Sequence, residues 1–395
     1  MTKKIYLDNG ATTKLDPKVV EAMQPYLSEK YGNPSSVHSK GFEAKEALEN
    51  SRAQIAKTLN ADPKEIIFTS GGTESNNFAL KGIAFANKTK GNHIITTKIE
   101  HPSILEICKW LETQSFEVTY LDVDKDGFVS SEELDKAITD KTILVSIIHG
   151  NNEIGTIQNI DALGEVCKKH GVLFHIDACQ SYTKSEIDVS KQNIDLITLN
   201  AHKIHGPKGI GALYIRKNTK IDAWQHGGGH EFGKRGGTEN IPAIVGFAEA
   251  AKIAFEDKEK KIQQITKLRN KLIDGVLKLP DAKLNGPKEN RLCFNTNFSF
   301  KAIEGESVGG YLDQEGICSS TGSACSEKTL EPSHVLTAIG LSHEEGNGSL
   351  RLSLSRFTTE EEIDYTLEKL GEVVKKLRSF SPLSKEAEHV LRKTN

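Results

Sequence analysis

The sequence has no long apolar run, no excess of charge of one sign and no closely spaced cysteine pair, and each absence removes a class of protein. Nothing in its 395 residues approaches the roughly 18 consecutive apolar residues that a membrane-spanning helix needs. The opening Met1-Thr2-Lys3-Lys4-Ile5-Tyr6-Leu7-Asp8 lacks the apolar centre of a secretion signal. A soluble, cytoplasmic protein is expected. The 51 basic and 54 acidic residues are spread along the whole length and leave a formal charge of -3. That balance supports neither nucleic acid nor an anionic membrane as a partner. Six cysteines, at positions 108, 167, 179, 293, 318 and 325, are scattered without CxxC spacing. The pattern argues against a disulfide framework and against a zinc ribbon, so no metal is expected. Most of these cysteines read as small buried hydrophobes.

What is present is an α/β pattern. A chain of this length exceeds what a single core usually serves, so two packed units are expected. From about residue 40 to 260, β-branched runs alternate with amphipathic stretches, the pattern of a mostly parallel sheet covered by helices on both faces. Candidate strands are residues 66–70, 93–97, 117–121, 143–149, 172–177, 195–199 and 211–215. Ile160, Leu163 and Cys167 mark one helical face, and Gly171 stands where that helix would stop. A charged helix at 256–279, with Ile265, Leu268, Leu272 and Val276 on one stripe, marks a change of composition. Residues 15–260 are therefore read as a large unit, and 1–14 with 261–395 as a smaller α+β unit.

Three segments carry chemistry. Leu199-Asn200-Ala201-His202-Lys203 follows a strand, and so lies at the carboxyl edge of the sheet, where ligands bind in open α/β folds. Lys203 could form a Schiff base if confined, or be an ordinary surface lysine. Val172 to Gln180 delivers Asp177 where another strand leaves the sheet; it reads as a helix cap or as a carboxylate facing a ring nitrogen. Thr69-Ser70-Gly71-Gly72-Thr73 runs from a strand through a glycine turn into a helix, whose first N–H groups can hold a phosphate.

Together with Tyr6-Leu7-Asp8-Asn9-Gly10-Ala11-Thr12-Thr13, Gly32-Asn33-Pro34, Glu100-His101, Asn151-Asn152-Glu153, Gly227-Gly228-Gly229-His230-Glu231 and Arg235-Gly236-Gly237-Thr238, these segments resemble the aspartate-aminotransferase-like enzymes that use pyridoxal 5'-phosphate. Within class V of that fold the resemblance is to cysteine desulfurases of the NifS/IscS type, and it covers nearly the whole chain. It implies a Schiff base on Lys203, Asp177 against the ring nitrogen, Gln180 on the phenolic oxygen and His101 over the ring face, moving protons. Gly72, Thr73 and His202 would hold the phosphate, joined by Thr238 from a second subunit, so a homodimer is implied. Asn152 and Arg351 would hold the carboxylate of L-cysteine, a task suited to a guanidinium fork; without the family, Arg351 reads as an ordinary strand or surface arginine. Asn200 stands where many relatives have a serine on the phosphate.

The stretch Cys318-Ser319-Ser320-Thr321-Gly322-Ser323-Ala324-Cys325 separates desulfuration from amino transfer. Small and polar residues before Cys325 suit a travelling loop, and the segment is similar to the catalytic loop of that branch. The resemblance implies that Cys325 attacks the sulfur of L-cysteine, keeps it as a persulfide and lets alanine leave. An iron–sulfur scaffold protein or another sulfur acceptor, such as one in tRNA thiolation, would then receive the sulfur. Cys179 and Cys318 are read as structural. The other readings are a class V transaminase or selenocysteine lyase, and a sulfur-relay or scaffold-binding protein; the set Lys203, Asp177 and Cys325 speaks against the last. Asp122, Asp124, Asp126, Gly127 and Glu133 match the spacing of a calcium loop. Residues 116–121 read as a strand where that motif needs a helix, so a strand-to-helix turn is expected instead.

Overall fold

The computed structural model describes residues 4–321 and 332–381. The chain opens on a short strand, β1 (Ile5–Tyr6), and then builds a seven-stranded sheet from β2 (Ile66–Thr69), β3 (His93–Thr97), β4 (Glu117–Leu121), β5 (Thr142–Ile148), β6 (Leu173–Asp177), β7 (Leu196–Asn200) and β8 (Gly211–Ile215). The strands lie in the order β2-β8-β7-β6-β5-β3-β4. The pairings are parallel from β7 to β4, whereas β8 runs antiparallel to both β7 and β2. Each expected strand is present to within one residue at either end.

Alternation of side chains across the sheet explains the two cores that sandwich it. Phe68, Val145, Ile197 and Tyr214 join the cluster on one face, and their neighbours Ile67, Leu144, Leu196 and Leu213 join the cluster on the other. Because helices cover both faces, the inner strands are buried along nearly their whole length, β5 at all seven positions, whereas β4 at the edge begins at the exposed Glu117. The helix Ile160–His170 ends at Gly171, whose φ of 66° is a left-handed turn that glycine adopts without a Cβ clash. The charged helix spans Lys258–Val276, and Asp257 before it stands at φ 51°. That turn separates it from the helix Ile241–Phe255, so the stripe starts later than its composition suggested.

The rest of the chain adds β9 (Ala282–Leu284), β10 (Asn295–Phe300), β11 (Ile317–Cys318) and β12 (Ser349–Ser353). β9 and β12 flank β10 in an antiparallel sheet, and β1 pairs with β11 in parallel, Ile5 opposite Ile317. A further apolar cluster gathers Leu272 and Val276 with Phe298, Leu350 and Leu370, and takes in Ile5 and Leu7 from the other end of the chain.

The calcium-like spacing is a strand-to-helix turn. β4 precedes it, Asp122 pairs with Lys98, and Asp124 Oδ1 accepts the N–H groups of Asp126 and Phe128. Among the described residues no cluster of three His, Cys, Asp or Glu could hold a metal ion, and no helix is long and apolar enough to cross a membrane.

Candidate active site

Strands β2, β3, β5, β6 and β7 all point the same way, so the segments that follow them meet along one edge of the sheet. There they surround a cleft of about 870 Å³ lined by Gly72, Thr73, His101, Asn152, Asp177, Gln180, His202, Lys203 and Arg351. Residues from six separate stretches of the sequence are thus brought together. Thr238 is exposed and is not part of this lining. Cys325 lies outside the described residues.

Lys203 reaches across to the N-terminal segment, where its Nζ donates to Gly10 O at 2.5 Å and Ala11 O at 2.7 Å. Gln180 Nε2 donates to the same Gly10 carbonyl at 2.9 Å. The segment is stitched down further by Thr13, whose hydroxyl donates to His202 O and accepts from His205 N. Gly10 is closely packed: a Cβ there would lie 3.2 Å from Ser353 Oγ and 3.4 Å from Arg351 Cζ, so these side chains would have to give way slightly. Arg351 is held by Asp8, Nη2 to Oδ1 at 3.0 Å, and donates from Nη1 to Asn152 O at 3.2 Å.

Asp177 is nearly buried, and its Oδ1 accepts the backbone N–H of Cys179 at 2.9 Å. Its other oxygen accepts from Asn76 Nδ2 at 2.8 Å. The aspartate is therefore a turn cap and a cleft carboxylate at once. His101 caps the helix Pro102–Thr113 through Nδ1. Burial lowers its pKa, helped by Lys203 and His334 and opposed by Asp177. His202 is pushed down to about 4 by burial and by the charges of Lys203, Lys208 and Lys184. Glu100 is driven up to about 8 by burial, against the pull of bonds from Thr97 and Ile148. The thiol of Cys179 is pushed well above its ordinary value by burial and by Asp177. Cys179 itself lines the cleft.

Several contributors escaped sequence reasoning. Asn76, Ser103 and Asp8 support the expected residues from distant segments. Ser333 donates to Glu153 Oε2 at 2.5 Å, and His334 Nε2 donates to Glu100 O at 2.8 Å, so residues beside Asn152 and His101 are tied to the start of the helix His334–Ala338. Only the His-Pro-Ser order at 101–103, a helix-start signature, could have pointed to Ser103.

A mostly parallel sheet with a lysine and a buried carboxylate at its carboxyl edge defines the class of the chain, and the model of the family described as Aminotransferase class-V matches residues 5–366. The chain is 53% identical over 382 residues to a cysteine desulfurase IscS of Methanosarcina thermophila, covering 97% of this chain and 95% of that one. A solved NifS-like protein superposes with a TM-score of 0.90 at 41% identity, covering 95% of this chain and 100% of that one. A second solved structure, SspA in complex with cysteine, gives a TM-score of 0.80 at 39% identity, over 90% of this chain and 100% of that one. The chain belongs to the class V aminotransferase family and, within it, to the cysteine desulfurases of the NifS/IscS type.

The family's coenzyme is pyridoxal phosphate, and the residues present fit it. Among the described residues Asn76 Oδ1, Gln180 Oε1 and Asn200 Oδ1 are buried acceptors without a partner, a costly state unless a ligand supplies one. The helix Gly72–Asn87 starts without a side-chain cap, leaving its first N–H groups for an anion. A nearly buried carboxylate, a lysine and an amide complete a donor and acceptor set matched to a charged ring bearing a phosphate.

Proposed function

We propose that this protein desulfurates L-cysteine: the carbon–sulfur bond breaks, L-alanine leaves, and Cys325 goes from thiol to persulfide as a sulfur–sulfur bond forms. The observation that carries the reading is the meeting of Lys203, Asp177, Gln180, His101 and Arg351 in one cleft. Bound pyridoxal phosphate supplies an electron sink that lowers the cost of negative charge on the substrate carbon. Lys203 would hold it covalently, with Asp177 facing the ring nitrogen and Gln180 the phenolic oxygen. Gly72, Thr73 and His202 would take the phosphate. Arg351, already oriented by Asp8, would hold the substrate carboxylate together with Asn152. His101 would hold or move a proton at Nε2, the ring nitrogen left over once Nδ1 has capped its helix.

In this reading residues 15–260 bind the coenzyme, and residues 1–14 with 261–395 bring the sulfur-accepting thiol. The protein acts as a cytoplasmic homodimer. The exposure of Thr238 supports its serving the phosphate of a second copy, and Arg235, bonded to Glu74 at 2.9 Å, tethers its segment near the start of the helix Gly72–Asn87. Iron–sulfur cluster assembly, or tRNA thiolation, would consume the sulfur.

The test is direct. Purified protein given L-cysteine and a thiol reductant releases sulfide and alanine, and mass spectrometry finds one added sulfur on the peptide carrying Cys325. Cys325→Ala abolishes sulfide release and keeps the coenzyme absorbance, whereas Lys203→Ala changes that absorbance. Full sulfide release by Cys325→Ala would refute the nucleophile role.

A further inference from the structure

The floor of the cleft holds a chain of hydrogen bonds that reaches from Asp177 to His101. Asn76 is almost wholly buried, and its amide spends both protons, donating to Asp177 Oδ2 and to Ser103 Oγ at 2.8 Å each. An ionised carboxylate only accepts, so the amide has one orientation here. Ser103 Oγ, having accepted, has a single proton left to give, and His101 Nδ1 lies 2.8 Å away. The same nitrogen takes the backbone N–H of Ser103 at 3.1 Å. Two donors aimed at Nδ1 require its lone pair, and the proton of the neutral ring then resides on Nε2.

We propose that Asn76 is a positioning residue which, by way of Ser103, fixes neutral His101 as the Nε2–H tautomer and couples that choice to the charge on Asp177. His101 offers the cleft a proton at Nε2, and a second proton can enter only at Nδ1, displacing both donors. The ring is held neutral and donating. Around it, Asp177 favours the charged ring, while Lys203 and His334 oppose it. Glu106 and Lys109, on the helix that His101 caps, line the same cleft, and the Glu100 carboxyl turns away to Thr97 and Ile148. What His101 does with its proton rests on the desulfurase reading; the tautomer does not.

The experiment is nitrogen-15 NMR of histidine-labelled holoenzyme across pH, with His101→Gln used to assign the signal. The parent protein should show a neutral His101 protonated at Nε2 alone. Asn76→Leu, similar in volume, removes the donor that turns the Ser103 hydroxyl proton toward Nδ1, so the hydroxyl can rotate and accept from a protonated Nδ1, and moves the protonation equilibrium of His101 about fivefold toward the charged ring, the worth of one neutral hydrogen bond. Ser103→Ala cuts the same chain without touching Asp177, shifts the equilibrium the same way by less, and serves if Asn76→Leu does not fold. A proton on Nδ1 in the parent, or an unchanged titration in both variants, overturns the proposal. Sulfide release measured on the same samples reports separately on the desulfurase reading.

Discussion

Arg52 and Glu231 form a buried two-pronged ion pair, Nη1 to Oε2 at 2.7 Å and Nη2 to Oε1 at 2.9 Å. Glu231 Oε2 also accepts the N–H of Phe68 in β2, and the guanidinium lies 5.0 Å from the ring centres of both Phe68 and Phe232. Glu231 and Phe232 stand at φ 47° and 57°, a left-handed conformation that side chains disfavour. The ion pair therefore holds down a strained turn in the segment leading to Arg235 and Thr238. Arg52→Ala leaves a buried carboxylate unpaired, and should cost about 3–5 kcal/mol of stability. Urea denaturation measures it, and an unmoved midpoint would show that the pair contributes nothing.

A second prediction concerns pH. Native Glu100 keeps its proton up to about 8, against an ordinary value of 4.5. Between these values the native chain binds more protons than the unfolded one. The contribution of this group is thus fully present below about 4.5 and is lost as pH rises toward 8, at up to ~1.4 kcal/mol per pH unit. Glu100→Gln keeps an acceptor for Thr97 and Ile148 but cannot ionise. The variant should gain on the parent in denaturation midpoint between about pH 5 and about pH 8, and an equal difference at both would mean the carboxyl is charged in place.

The start of the helix Gly72–Asn87 makes a third. A Cβ on Gly72 would lie 2.5 Å from Cys179 Sγ, well inside contact distance. Gly72→Ala should weaken pyridoxal phosphate binding about tenfold or more, a loss of ~1.4 kcal/mol. Cys179→Ala should bind normally, and the double variant should recover most of the loss because the two sites touch. Absorbance titration of the apo-protein decides it: equal defects in single and double variants would exclude the clash as the cause.

Arg351 provides the fourth. Its Nη1 and Nη2 are fastened to Asn152 O and Asp8 Oδ1, a geometry that an ammonium group cannot reproduce. Arg351→Lys should raise the KM for L-cysteine about tenfold with a smaller change in kcat, the pattern of lost substrate binding. Steady-state kinetics test this, and an unchanged KM would place the substrate carboxylate elsewhere.

The strands of the large sheet were legible because both its faces are covered, which makes most of them short runs rich in β-branched and apolar residues between polar turns. Asp177 ends β6, and Lys203 and Gly72 stand three residues past β7 and β2, so their common edge could be read from the sequence, while their expected roles came from the resemblance. The start of the charged helix was misplaced by two residues because the turn at Asp257 has no signature in composition. Asn76 and Ser103 gave no local signal as relay members, since their value lies in pairings that span 101 and 27 positions. Asp8 belonged to a recognised motif, but its partner Arg351 is 343 positions away. Periodicity reports burial, and it is silent on which buried polar groups satisfy one another.

The N-terminal strap across Lys203 bears on how the protein is made. Residues 8 to 13 find partners in Lys203, Arg351 and Ser353, and the bonds to the last two each span 343 positions. A nascent chain can fold its large sheet and still lack a finished catalytic chamber. Competence therefore waits on the docking of Arg351 and Ser353, so a chain cut short before them would be folded in part but chemically silent.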